Sequence, residues 1–88
     1  MFKFIHRGKD YLVKYLDGEE RTLTSSEVES FYQRINLVIE LLGLKDSYYH
    51  AKENFDIGLL DFAKDNDIDL DACLYAVITN FNFEKPLV

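Results

Sequence analysis

The apolar period of this chain changes once, between residues 23 and 28, and that change limits the folds open to it. Up to Leu16, apolar and polar side chains alternate. Phe2, Phe4 and His6 share one face of FKFIH; Tyr11, Val13 and Tyr15 share one face of YLVKYL, with Leu12, Lys14 and Leu16 on the other. A period of two is that of a strand with one buried face, and Tyr, Phe and Val suit a pleated surface. From Val28 onward the period is helical: Val28, Phe31, Tyr32, Ile35, Val38, Ile39 and Leu42 fall on one stripe. Strands first and helices after predict an α+β fold, with a small N-terminal antiparallel β-hairpin or three-stranded sheet packed against three to four α-helices.

Turn chemistry divides the strand region. Arg7-Gly8-Lys9-Asp10 predicts one turn, and Asp17-Gly18 between apolar runs predicts a second hairpin. EERTL is then a third strand, placed at an edge by its glutamates. Thr24-Ser25-Ser26-Glu27 is a capping box for the first helix, and Gly43 is its expected stop. In residues 44–55, Asp46 or Ser47 is expected to cap a short helix through Tyr48, Tyr49 and Lys52. Asp56 is expected to cap another that buries Leu59, Leu60, Phe62 and Ala63, with Gly58 weakening it. Leu70, Cys73, Leu74, Val77, Ile78 and Phe81 form the stripe of a last helix. One compact domain over 1–88 is expected: sheet over 1–23, helices over 24–82, and a frayed tail over 83–88.

The aspartate-rich run 65-DNDIDLDA-72 reads best as a turn between helices. An EF-hand loop counted from Asp65 has Leu70 where glycine belongs and Ala76 where glutamate belongs. Counted from Asp61, Ala63 and Ala72 occupy ligand positions. As a turn, Asn66 supplies the left-handed C-terminal residue, Ile68 the hydrophobic contact, Asp69 the next N-cap, and Asp71 a charge favoured by the helix dipole. Ile68 can also staple onto Cys73. Asp65 opposes a helix dipole and Asp67 has no structural task in this reading, so these two are candidates for function.

The charge is lopsided. Residues 1–16 carry four basic side chains and one acidic one, net +3; residues 17–88 carry six basic and fifteen acidic, net −9. Asp56 to Asp71 holds six aspartates and one lysine. Such a field repels nucleic acid and attracts basic surfaces. Nothing in the sequence assembles catalytic chemistry. Cys73 lies in an apolar stripe, His6 and His50 are the two histidines, the four glycines are scattered, and no Cys/His set has zinc spacing. No catalytic residue, metal or cofactor is therefore expected.

The expected function is a non-catalytic acidic protein-binding module that inhibits or regulates a basic, nucleic-acid-handling partner, as phage inhibitors, immunity proteins and antitoxins do. That expectation rests on charge and size alone. The partner-binding candidates are Asp56, Asp61, Asp65 and Asp67, with Tyr48 and Tyr49 of DSYYH as aromatic anchors. The alternative is a nucleic-acid-binding regulator. It would use Lys3, Arg7, Lys9 and Lys14 with Tyr11 and Tyr15 interleaved for base stacking. A homodimer through the exposed hairpin edge is a third reading. The single cysteine, the absence of an apolar h-region in MFKFIHRGKD and the lack of a long apolar run lead to the expectation of a cytoplasmic protein with no membrane partner.

Overall fold

The structure, a computed structural model, describes the backbone of residues 2–87 and the side chains of residues 2–79. Three strands are followed by four helices: β1 (Lys3–Arg7), β2 (Asp10–Lys14), β3 (Glu20–Thr22), α1 (Ser25–Leu41), α2 (Lys45–Phe55), α3 (Leu59–Asp65) and α4 (Leu70–Leu87). The sheet is antiparallel in the order β1-β2-β3, so the α+β architecture expected from the sequence is the one observed. The tail over 83–88, expected to fray, has its side chains, and at Val88 its backbone, outside the described residues.

Glycine is needed at both hairpin turns. Arg7 pairs with Asp10 across a two-residue loop, and Gly8 takes φ +64° at its first position, as a type II′ turn requires. The second connection spans residues 15–19, with three residues enclosed between the bonded Tyr15 and Glu19. Tyr15 accepts from the Gly18 N–H, Gly18 sits at φ +92°, and Tyr15 N–H donates to Glu19. A left-handed glycine after a turn is the usual way such a loop returns the chain.

The inner face of the sheet carries Phe2, Phe4, Tyr11, Val13, Tyr15 and Leu23 onto the helices. Phe4 meets Phe31 of α1 with ring centroids 4.7 Å apart. Phe31, Ile35 and Ile39 of α1 and Leu74, Val77 and Ile78 of α4 complete the core, together with Leu60, Phe62 and Ala63 of α3. The stripe read from the sequence holds except at Leu42, which is 58 % exposed. It falls at the C-cap, where the helix closes instead of continuing onto the core.

Helix starts and stops follow local chemistry, with three shifts. The Thr24–Glu27 capping box forms on both sides. Gly43 adopts φ +73° and donates to Glu40, and Leu44 donates to Ile39, the Schellman pair of bonds. Because Leu44 is fixed by that closure and accepts from Tyr48, α2 begins at Lys45 without a side-chain cap; neither Asp46 nor Ser47 takes that role. Asp56 does not cap α3. It is the left-handed C-cap of α2 at φ 52°, and Gly58 caps α3 from outside, where its helix penalty does not apply.

The third shift answers the question of Asp67. Asp67, not Asn66, takes the left-handed conformation after α3, at φ 57°. Asp67 donates to Lys64 and Ile68 to Ala63, a second Schellman motif. Ile68 and Ala63 are both buried. Had Asn66 turned the chain, the charged Asp67 would have stood where Ile68 makes the hydrophobic contact, so burial sets the register. Asn66 instead donates its Nδ2 to the Phe62 carbonyl at 2.9 Å.

Candidate functional site

Two groups of residues come together near α3, from different elements. Asp61 and Asp65 lie one turn apart on α3, with Asp56 just before it and Asp67 just after it. A seven-residue helix is ~10 Å long at 1.5 Å per residue. All four side chains are exposed, and none makes an ion pair among the described residues. Asp56 and Asp67 also carry left-handed backbone, so part of their presence is conformational: aspartate tolerates that region better than most residues. Asp61 stands in the first turn of α3, where the helix dipole favours a carboxylate, whereas Asp65, at the C-terminal end, has no such explanation. Asp69 caps α4 through Ala72 N–H at 3.0 Å, as expected.

Tyr48 and Tyr49 divide in role. Tyr48 is half-buried and packs on Phe62 of α3 at 5.1 Å between centroids, which makes it the seam between α2 and α3. Tyr49 is 50 % exposed, its ring 6.2 Å from that of Tyr48. Together they form one wall of a cavity of about 330 Å³ between α1 and α2. The opposite wall is Asn36 and Glu40, one turn apart on α1; Ile39 and Lys45 complete the lining. Asn36 donates its Nδ2 to the Tyr32 carbonyl at 3.1 Å, which leaves its Oδ1 as an acceptor. Glu40 and Lys45 share the cavity without pairing within 4.0 Å.

The basic candidates lie elsewhere. Lys3, Arg7 and Lys14 project from the outer sheet face, with Ile5 and Leu12 between them; Lys9 is at the turn. Lys3 and Lys14 are directly opposite one another, and Arg7 reaches diagonally over β2 to Glu20 at 3.3 Å. Tyr11 and Tyr15 face the other way. Tyr11 accepts from the Tyr32 hydroxyl at 2.5 Å, and Tyr15 accepts from Arg21 Nε at 3.0 Å. Burial and that hydrogen bond raise the Tyr32 pKa. The hairpin therefore separates its cations from these tyrosines, so they form no stacking platform on the basic face. His6 is exposed at the strand end, lying flat on Tyr11 at 4.7 Å, and is not a core histidine.

Long-range polar contacts were not visible in the sequence. Asp71 does more than face a helix dipole: its Oδ1 accepts the Phe4 N–H at 2.7 Å, taking one of the outward donors of the β1 edge. A twin strand adding there would have to displace it. Glu27 is 7 % exposed and accepts from Arg21 Nη1 at 2.7 Å and Nη2 at 3.0 Å, besides closing the capping box. Asn36, Glu40 and Lys45 also escaped the sequence reading. Asn36 and Glu40, two acceptors at i and i+4 beside the buried stripe of α1, were the one available signal. Cys73 is buried, and burial, more than the opposing effect of Arg34, pushes its thiol pKa up.

Among the described residues, no three His, Cys, Asp or Glu side chains converge to hold a metal ion. Among the same residues, no helix is long and apolar enough to cross a membrane. No family model matches the chain, and neither a curated protein nor a solved structure matches it.

Proposed function

We propose that this protein is an acidic protein-binding module that docks on, and so inhibits or regulates, a basic partner, one whose cations otherwise face nucleic acid. The observation that carries this reading is the set of exposed, unpaired aspartates on α3 and its two ends, Asp56, Asp61, Asp65 and Asp67. One of them, Asp65 at the C-terminal end of α3, exceeds what the local fold requires. Carboxylates on a short helix and its flanking turns concentrate negative charge that a basic, phosphate-binding surface attracts. Their field accelerates encounter with such a surface and is screened by salt.

The test uses the tagged protein to capture partners from a nuclease-treated lysate of its source, with elution by a salt gradient. A basic protein retained by the native chain and released at distinctly lower salt by the Asp61→Asn/Asp65→Asn variant is the expected result. Equal elution from both proteins, or no retained protein, would sink the proposal.

A further inference from the structure

Resting on that reading, we propose that the cavity between α1 and α2 is a receptor for one arginine side chain of the basic partner. Its walls are chemically unlike one another, and each suits a different part of a guanidinium. On α2, Tyr48 and Tyr49 line the cavity with aromatic rings, and a planar cation stacks favourably on such rings. On α1, the Asn36 Oδ1 and the Glu40 carboxylate lie one helical turn apart, two acceptors for the N–H fork. Ile39 supplies an apolar contact for the methylene stem.

The acceptors are not already committed. The Asn36 Nδ2 bond to Tyr32 fixes the amide with its oxygen free, and Glu40 has no cation within 4.0 Å among the described residues. Lys45 lines the cavity and yet forms no ion pair with Glu40 within 4.0 Å. A volume of about 330 Å³ lies at the small end of ligand pockets, sized for a side chain more than for a cofactor. Arginine is favoured over lysine because a compact ammonium gains neither the stacking nor the bidentate fit.

Binding of a fluorescent hexa-arginine peptide and its hexa-lysine counterpart, followed by anisotropy, tests the site directly. Native protein is expected to prefer the arginine peptide. Glu40→Gln should weaken it about ten-fold, the usual scale for losing a charged hydrogen-bond partner. Tyr49→Ala should weaken it roughly three- to ten-fold and Tyr49→Phe little, since the ring and not the hydroxyl makes the contact. Lys45→Gln should tighten it about two- to five-fold by removing a like charge, a gain that a purely structural role for these residues would not give. Tyr49 and Lys45 are exposed, so these variants keep the fold, which circular dichroism checks.

Equal affinity for the two peptides, or no response to Glu40→Gln and Tyr49→Ala, overturns the arginine receptor. If Asp61→Asn/Asp65→Asn still weakens both peptides in that case, the acidic-module reading survives alone. If the cavity variants act and the aspartate variants do not, the cavity stands and the α3 surface is excluded. Absence of binding by the native protein overturns both.

Discussion

Replacing Glu27 by glutamine should cost this fold about 2–3 kcal/mol, and the loss should depend on pH. Glu27 Oε1 accepts both Arg21 Nη1 at 2.7 Å and the Thr24 N–H at 2.9 Å, while Oε2 accepts Arg21 Nη2 at 3.0 Å. A glutamine keeps one oxygen for the first two bonds. Its amide nitrogen then meets the Nη2 donor, so one bond becomes a donor–donor contact and the ion pair disappears. Hydrogen bonds to charged groups contribute ~1.5–3 kcal/mol each, and breaking a fully buried pair costs ~3–5 kcal/mol. The Arg21 side chain is 39 % exposed, which places the expected loss below that range.

The hydrogen bonds from Arg21, above all, hold the Glu27 carboxyl below its ordinary pKa, against the opposing effect of burial. A depressed carboxylate contributes stability that is complete above the unfolded value, ~4.3, and is lost as pH falls through the folded value. The difference between native and variant protein should therefore be full at pH 7 and shrink below about pH 4. Urea unfolding at pH 7, 5, 4 and 3 measures it, read from midpoints at a common slope. At pH 7 a loss of this size lowers the melting temperature by roughly 10–20 °C in a domain this small. A pH 7 difference under about 0.5 kcal/mol, the scale of an ordinary surface change, would refute the reasoning, as would a difference that does not narrow with acid.

The remaining predictions concern the α3–α4 turn and the core. Asp67→Gly should stabilise by about 0.5 kcal/mol because φ 57° suits glycine, whereas Asp67→Val should cost ~1–2 kcal/mol; thermal melts of both separate backbone from charge. Cys73 should react with a disulfide reagent only as fast as the chain opens, because it is 5 % exposed and its thiol is held protonated by burial. A native-state rate equal to that of the urea-unfolded protein would contradict its buried position.

How much of the fold was legible depended on how far each interaction reaches along the chain. Thr24, Glu27 and Gly43 bound α1 through contacts within five residues, so their letters suffice. The hairpin at Gly8 is equally local. The α3–α4 turn was read one residue out, since Asn66 and Asp67 both accept left-handed backbone, and burial of Ile68 over α3 decided between them. The four candidate aspartates were found by charge alone, and the structure leaves them exposed. Tyr48 was less legible: DSYYH does not say which ring meets Phe62 and which stays at the surface.

Composition and period by themselves determined the sheet, the order of elements, the long α1 and the acidity of the segment around α3. Those are properties of neighbouring residues and of summed charge, and they need no knowledge of what packs where. Only the tertiary structure brought Asn36 and Glu40 of α1 opposite Tyr48 and Tyr49 of α2, turned Tyr11 and Tyr15 away from the lysines, and set Asp71 against the edge of β1. Each depends on side chains distant in sequence being driven together by burial of a shared core, and no local pattern encodes that meeting.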